Sequence, residues 1–307
     1  MNLVTEYLLT PLVTGLIWAI FGLGVFVAYR VLDIADLSVE GVMPLSGVIG
    51  LYLINQGWAP LLVIFISILV GAVLGIINGC LQVYLKIPPL LSGIILMISL
   101  LSIIIVLSNG IIHIENNTIF TQLEKVFTSM FDNVMWGKWL GCFLILSVIV
   151  TLIILGLYFF FGTELGVAIR ATGINKKMAK AQGINTSLMI IIALAISSAL
   201  IALAGGLLAQ YDRYMTSVSG SGTIVRALSI LFLGEVIFGK RSFKNHLISI
   251  VLGGILYWYI LDAIFLLPGF DTNYNYLIQG IVLVLVLVIP KYITKLRQKK
   301  NRGENNA

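Results

Sequence analysis

Charged residues are scarce in this 307-residue chain: only 10% of its residues are Asp, Glu, Lys or Arg, whereas a soluble domain carries roughly a quarter. Hydrophobic residues make up 59%, and the mean hydropathy is +1.06. This balance excludes a soluble globular protein and a disordered chain. Two cysteines are too few for a disulfide scaffold, and 30 glycines without a triplet period exclude collagen. What remains is a polytopic membrane protein.

The apolar runs are continuous and about twenty residues long, which favours helices, because barrel strands need alternating segments of about ten residues. We predict an all-α transmembrane bundle of about nine spans, within a range of eight to ten, that forms one domain over residues 1–290. The predicted spans are 8–29, 41–56, 59–85, 89–108, 139–161, 188–210, 227–239, 247–267 and 274–290. Two of them, 41–56 and 227–239, are too short to cross about 30 Å of hydrocarbon, which predicts broken or re-entrant helices.

Basic residues indicate which side of the membrane each loop faces. If the loop at 162–187 is cytoplasmic, alternation of the spans places fifteen of the 19 Lys and Arg residues on that side, as the positive-inside rule describes. The fifteen are Arg30, Lys86, Arg170, Lys176, Lys177, Lys180, Lys240, Arg241, Lys244, Lys291, Lys295, Arg297, Lys299, Lys300 and Arg302. The N-terminus is then extracytoplasmic, and the basic tail 291–307 is cytoplasmic, beside anionic lipid. The positive charge therefore requires no nucleic acid.

Small residues inside the spans indicate close packing. Gly71, Gly75 and Gly79 recur every four residues, so they line one helix face that a second backbone can approach. Cys80 and Cys142 also lie in apolar runs, and we interpret them as buried thiols rather than as a disulfide or a metal site.

Reactive groups are equally scarce. Neither His113 nor His246 has an Asp, Glu or Cys at metal-ligand spacing, and both are expected to be solvated. The run Gly234–Lys240, GEVIFGK, matches the first seven positions of a phosphate-binding loop, but Arg241 replaces the Ser or Thr that binds magnesium. We therefore predict no metal, no catalytic site and no ATPase site in this chain, and no cofactor bound by it.

Ionisable residues inside spans are costly and by default indicate function or pairing. Arg226 and Asp262 are predicted at the outer ends of adjacent spans, where they are expected to pair. Glu235 lies near an inner end, within reach of Lys240 or Arg241. The predicted spans do not contain the series of acidic residues that a proton-driven pump would need.

The loop at 162–187, GTELGVAIRATGINKKMAKAQGINTS, is long, basic and patterned. Apolar residues recur in it at spacings of three or four on either side of Gly173, which predicts one or two short amphipathic helices. The residues of this stripe are Leu165, Ala168, Ile169, Met178 and Ala181. Two interpretations stay open: a helix on lipid headgroups, or a helix in the groove of a soluble partner.

Residues 163–185 resemble the cytoplasmic coupling segment in permease subunits of ATP-binding-cassette (ABC) importers of the branched-chain amino acid and ribose type. The matching residues are Thr163, Gly166, Arg170, Ala171, Gly173, Asn175, Ala179, Gly183 and Asn185. The alanine and glycine residues of the next helix match as well: Ala199, Ala202, Ala204, Gly205 and Gly206. The blocks at 220–240, 36–41 and 86–97 resemble further parts of the family, and the last two resemble a subgroup associated with aromatic (tryptophan or tyrosine) amino acid uptake.

The resemblance implies the pathway-forming permease of an importer in a bacterial cytoplasmic membrane. The expected substrate is a small solute, an amino acid of the branched-chain or aromatic kind. The expected partners are a second permease copy, two cytoplasmic ATPases that hydrolyse the ATP, an extracytoplasmic substrate-binding lipoprotein and the lipid bilayer. Contact with the ATPases is expected at Leu165, Gly166, Ile169, Arg170, Gly173, Asn175, Lys176, Met178 and Gly183.

Polar residues inside the spans are the candidates for lining the pathway: Asn78, Ser92, Ser99, Ser197 and Ser198. A serine in a span more often bonds the backbone carbonyl four residues earlier than it faces a substrate. The main alternative function is an ion-coupled secondary transporter, which needs inverted repeats and ionisable groups at the midplane, and neither is evident. An intramembrane enzyme is a third possibility, but the sequence contains no reactive constellation.

Overall fold

The computed structural model describes residues 3–109, 111–114, 118–122, 137–266 and 274–288. Within these residues the protein is helical apart from one two-stranded ribbon. The predicted basic tail 291–307 lies outside the described residues.

The helices follow the order of the predicted spans. They are α1 (Leu3–Phe26), which a π-helical turn (Val27–Val31) continues, α2 (Val39–Asn55), α3 (Pro60–Val83), α4 (Pro89–Ser108), α5 (Gly137–Gly162), α6 (Glu164–Ile174), α7 (Lys176–Ala181), α8 (Thr186–Asp212), α9 (Thr223–Phe238), α10 (Phe243–Phe265) and α11 (Asn275–Val288). Strand β1 (Ile111–His113) pairs antiparallel with β2 (Tyr214–Thr216).

Six of the described helices are long and apolar enough to cross a membrane. They are Leu9–Val31, Pro60–Val83, Pro89–Ser108, Gly141–Gly162, Thr186–Asp212 and Phe243–Phe265. The other three predicted spans form the shorter helices α2, α9 and α11. With 17 and 16 residues, α2 and α9 reach only about 25 Å at 1.5 Å per residue. The two predicted short helices are therefore confirmed, whereas nine complete crossings are not.

The bundle is densest around α1 and α8. α8 packs along α1, α2 and α3, and α1 packs along α10. By contrast, α3, α4 and α5 each have less than a third of their span buried. Their exposed faces carry large apolar side chains such as Phe65, Leu69, Val106, Leu152 and Phe159. Such faces are stable against lipid tails or another membrane protein, but not in water.

The contact between α3 and α8 depends on the glycine stripe. A Cβ atom at Gly71, Gly75 or Gly79 would overlap backbone atoms of α8, on the side that includes Leu194. The close helix approach that the spacing predicted is confirmed.

The two ends of the bundle differ in charge. We call one the basic end: Arg30 and Lys240 both contact Glu235 there, and Lys86 and Lys176 line one cavity there. We call the opposite end the ribbon end, because β1 and β2 lie there. The Asn55 side chain at the close of α2 donates to the His113 carbonyl of β1 at 3.2 Å.

Candidate functional site

Three side-chain caps determine the local structure of residues 162–187. Thr163, Asn175 and Asn185 each accept a hydrogen bond from the backbone N–H three residues ahead, at 3.3, 3.0 and 3.2 Å. A cap of this kind satisfies an N–H group that the first helical turn leaves unpaired. The caps start α6, α7 and α8, so the prediction of short helices in this loop is confirmed.

One face of α6 packs on the bundle. Ile169 is fully buried, and Gly166 lies against the backbone at the end of α5. Gly173 lies against the π-helical turn, where a Cβ atom would overlap the Val31 carbonyl oxygen. Because no side chain separates the two backbones, a displacement of α6 acts directly on the end of α1.

Arg170 also points toward the bundle. Its guanidinium carbon lies 5.6 Å from the ring centre of Phe243, at the start of α10. The Phe243 ring lies 5.8 Å from Phe26 of α1 and 5.3 Å from Phe161 of α5. The Arg170 Nε is buried and makes no hydrogen bond within the described residues. The side chain thus connects α6 to three helices through one aromatic cluster.

The outward face of the segment is apolar and basic. Leu165, Val167 and Met178 each expose 48% of their surface, and Ile174 exposes 83%. Exposed lysines accompany these apolar residues: Lys176, Lys177 and Lys180. An apolar patch of this kind marks a surface that another molecule covers.

The nine predicted coupling residues therefore divide into two sets. The inward set is Gly166, Ile169, Arg170 and Gly173, and the exposed set is Leu165, Asn175, Lys176, Met178 and Gly183. The residues of the predicted stripe do not all face the bundle: Leu165 is exposed, and Ala179 rather than Met178 or Ala181 is the buried residue of α7. Extended backbone at Asn175, with φ −155°, interrupts the helical phase between α6 and α7.

A cavity of about 880 Å³ opens beside this segment at the basic end. Its walls come from the connection before α2, the turn between α3 and α4, and the segment itself. The charged side chains in its wall are Asp33, Lys86, Lys176 and Lys180. The segment at 162–187 is thus in contact with an opening at the basic end.

Two of the predicted pathway residues, Asn78 and Ser92, lie in one buried polar network. The Asn78 amide donates to Asp36 Oδ1 at 2.9 Å, and the Ser92 hydroxyl donates to Asn78 Oδ1 at 2.9 Å. The Ser38 backbone N–H donates to the same Asp36 oxygen at 2.8 Å. Burial raises the pKa of the Asp36 carboxyl above its ordinary value, although bonds from Ser38 and Asn78 oppose the shift. In this conformation the network ties the loop before α2 to α3 and α4.

The other three pathway candidates lie apart from that network. Ser99 is on the exposed face of α4, and its hydroxyl donates to the Ile95 carbonyl at 2.7 Å, four residues earlier. Ser197 is buried and donates to the Gly24 carbonyl at 2.8 Å, which ties α8 to α1. The buried hydroxyl of Ser198 makes no hydrogen bond in the part of the chain that the structure describes.

The ion cluster around Glu235 at the basic end was predicted in its contact with Lys240, which is confirmed, but not in its contacts with Arg30 and His246. The Glu235 carboxylate, 7% exposed, accepts from Arg30 Nε at 2.7 Å, and His246 Nε2 lies 2.8 Å from it. Lys240 Nζ is 3.6 Å away. The prediction of a solvated His246 is wrong, because packing of α10 on α9 places its ring against Glu235. Arg30 is 205 residues from Glu235, so no local pattern could reveal the pair.

The predicted pairing of Arg226 with Asp262 is also wrong. Arg226 Nε donates to Gln279 Oε1 of α11 at 3.0 Å, and its guanidinium carbon lies 4.9 Å from the Trp18 ring centre. Tertiary packing supplies these partners from two other helices. The Gly234–Lys240 run, compared above with a phosphate-binding loop, is helical as far as Phe238.

The family described as branched-chain amino acid transport system, permease component, matches residues 7–287. The chain belongs to this permease family. The tyrosine transport system permease protein of Clostridioides difficile strain R20291 is 29% identical over 304 residues, 95% of this chain and 98% of that protein. The resemblance seen in the coupling segment is thereby confirmed. No solved structure matches the chain.

The names of other relatives in this permease family refer to different solutes. The D-allose transport system permease protein AlsC of Escherichia coli strain K12 is 28% identical over 297 residues, 96% of this chain and 85% of that protein. The autoinducer 2 import system permease protein LsrC of Photorhabdus laumondii is 26% identical over 272 residues, 89% and 78% of the two chains.

Membership makes the chain the permease component of an ABC transport system, which favours this function over the ion-coupled alternative. It implies ATPase and substrate-binding partners and a multi-pass membrane protein.

Proposed function

We propose that this permease forms the translocation pathway of an ATP-driven importer for an amino acid of the branched-chain or aromatic kind. The blocks at 36–41 and 86–97 resemble the aromatic amino acid subgroup. The tyrosine permease of C. difficile matches over 98% of its own length, a larger share than the sugar or autoinducer relatives cited above.

The observation that carries the mechanism is the exposed apolar face of α6 and α7. It includes Ile174 and Met178, and it belongs to a segment outside the membrane-spanning helices. A cytoplasmic ATPase that covers this face and closes on ATP would displace α6. The contacts of Gly173 with Val31 and of Arg170 with Phe243 would pass the movement to α1 and α10, and switch the pathway between outward-open and inward-open states.

Sidedness follows from the basic end, which the positive-inside rule assigns to the cytoplasm. α1 runs toward that end, where its π-helical turn carries Arg30, so the N-terminus is extracytoplasmic and the C-terminus is cytoplasmic. The exposed apolar faces of α3, α4 and α5 offer room for a second copy as well as for lipid. We propose a homodimer served by two ATPases, with the ribbon end facing the substrate-binding protein.

Uptake by a deletion strain tests the substrate. We expect the strain to lose uptake of radiolabelled tyrosine, tryptophan, phenylalanine, leucine, isoleucine or valine, and the wild-type gene to restore it. Ribose and allose uptake serves as the control and is expected to be unchanged. Loss of sugar uptake with normal amino acid uptake would contradict the proposed substrate. An ATPase subunit is expected to copurify with the tagged chain in stoichiometric amount.

Two variants test the coupling role. Gly173→Pro breaks α6 where it meets α1, which costs a helix about 3 kcal/mol, and Arg170→Glu reverses the charge facing Phe243. Both are expected to insert normally and to abolish uptake. Gln182→Asn, an exposed polar position at the end of α7, is the control. Normal uptake in both variants would remove the segment from the mechanism.

A further inference from the structure

The two short helices, α2 and α9, begin at the same place inside the bundle. α2 starts at Val39 and α9 at Thr223. Gly220 lies so close to α2 that a Cβ atom on it would overlap the Glu40 carbonyl oxygen. From this contact α2 leads to the ribbon end and α9 leads to the basic end, so the contact lies between the two ends.

Glu40 brings a carboxylate to this contact. Its side chain is half-buried and faces the backbone N–H groups of Gly222 and Ile224 at the start of α9, with the charge of Arg226 nearby. A charged side chain inside a membrane bundle is stable only where it is paired or faces a polar cavity. The helix start and Arg226 compensate part of the charge of Glu40.

A cavity of about 90 Å³ opens at Glu40, and it is large enough for several water molecules. One side of its wall is polar and the other is apolar. The polar side chains are Glu40, Ser217 and Ser221, and the apolar ones are Met97, Leu101 and Ile104. The cavity has room for a small polar head group, and the apolar wall lies beside it.

We propose that Glu40, with the hydroxyls of Ser217 and Ser221, binds the α-ammonium group of the amino acid during its passage. The proposal rests on the function proposed above. An ionised carboxylate only accepts hydrogen bonds, and the ammonium is the charged donor that every amino acid has and that a neutral sugar lacks. Because Glu40 is already partly compensated, the contact is weak enough to release the solute.

The test is uptake of the labelled amino acid as a function of its concentration, in the deletion strain with the full transporter. Glu40→Gln is expected to lower the maximal uptake rate about 10-fold or more, which corresponds to the loss of roughly one charge-assisted hydrogen bond. The amino acid concentration that gives half the maximal rate is expected to change little, because a separate protein delivers the solute. Glu40→Asp is expected to retain part of the rate. Asp262→Asn, which removes a carboxylate elsewhere, is the matched control and is expected to transport normally.

Rates are normalised to the folded complex, measured by copurification of the ATPase. If Glu40 only caps α9, Glu40→Gln lowers the amount of complex but leaves the rate per complex unchanged, and the proposal fails. The variant Ser217→Ala/Ser221→Ala, which leaves Glu40 in place, is expected to lower the rate several-fold, and a normal rate would also contradict the proposal. Absence of amino acid uptake by the wild type would instead overturn the proposed function.

Discussion

At the scale of single residues, the Glu235 cluster shows how one carboxylate holds three helices. Arg30 comes from the π-helical turn of α1, Glu235 from α9 and His246 from α10. The Arg30 guanidinium also lies 5.1 Å from the Phe232 ring centre. A nearly buried carboxylate tolerates this position only while its partners remain, because an unpaired buried charge is strongly unfavourable.

Arg30→Met therefore tests the cluster. It removes the two hydrogen bonds that Arg30 Nε and Nη2 donate to Glu235. It is expected to lower the free energy of unfolding by about 3 kcal/mol, the lower end of the cost of breaking a buried pair. Lys240→Met is the control. The Lys240 side chain is 59% exposed and lies 3.6 Å from Glu235, so its removal is expected to cost less than about 1 kcal/mol. Unfolding by SDS in mixed micelles measures both variants, and equal losses would show that Arg30 is not the principal partner.

At the scale of elements, α6 and α7 combine a buried side and an exposed side in 18 residues between Glu164 and Ala181. The buried side explains how the segment stays attached to the bundle, and the exposed side explains how a partner can hold it. Side chains at the centre of such a contact contribute most of the binding energy.

We expect Ile174→Gln/Met178→Gln to weaken ATPase binding by about 2 kcal/mol, or roughly 30-fold, because it removes the apolar surface of two exposed side chains. Copurification of the ATPase with the tagged permease measures the loss. Leu165 and the inward contacts are unchanged, so insertion is expected to be normal. The matched control, Lys177→Gln, changes a neighbouring exposed side chain without removing an apolar one, and an equal loss there would point to charge rather than apolar contact.

At the scale of the whole molecule, the basic end and the ribbon end define an axis across the membrane. The apolar outer faces of α3, α4 and α5 surround that axis. The six long helices are long and apolar enough to cross the bilayer, while α2 and α9 are shorter. An axis of this kind fixes which surface each partner can reach.

Cysteine labelling tests the orientation, in a Cys80→Ala/Cys142→Ala background. Tyr214→Cys at the ribbon end is expected to react with an impermeant maleimide in intact cells, because Tyr214 is 48% exposed and the ribbon end is proposed to face outward. Gln182→Cys, exposed at the basic end and outside the face proposed to bind the ATPase, is expected to react only after the cells are permeabilised. The opposite pattern would invert the proposed topology.

The sequence by itself determined the membrane class, the helices, the two short spans and the short helices α6 and α7. These depend on the length of apolar runs and on caps such as Asn175, which are local properties of the chain. The sequence of residues 163–185 also indicated the family, and the family match confirms it.

Only the tertiary structure decided which polar residues meet. Glu235 pairs with Arg30 and His246. Arg226 donates a hydrogen bond to Gln279 and does not pair with Asp262. Glu40 faces the start of α9. These partners lie on different helices, many residues apart along the chain. In an apolar bundle each ionisable group must find a partner, and helix packing alone determines which partner is within reach.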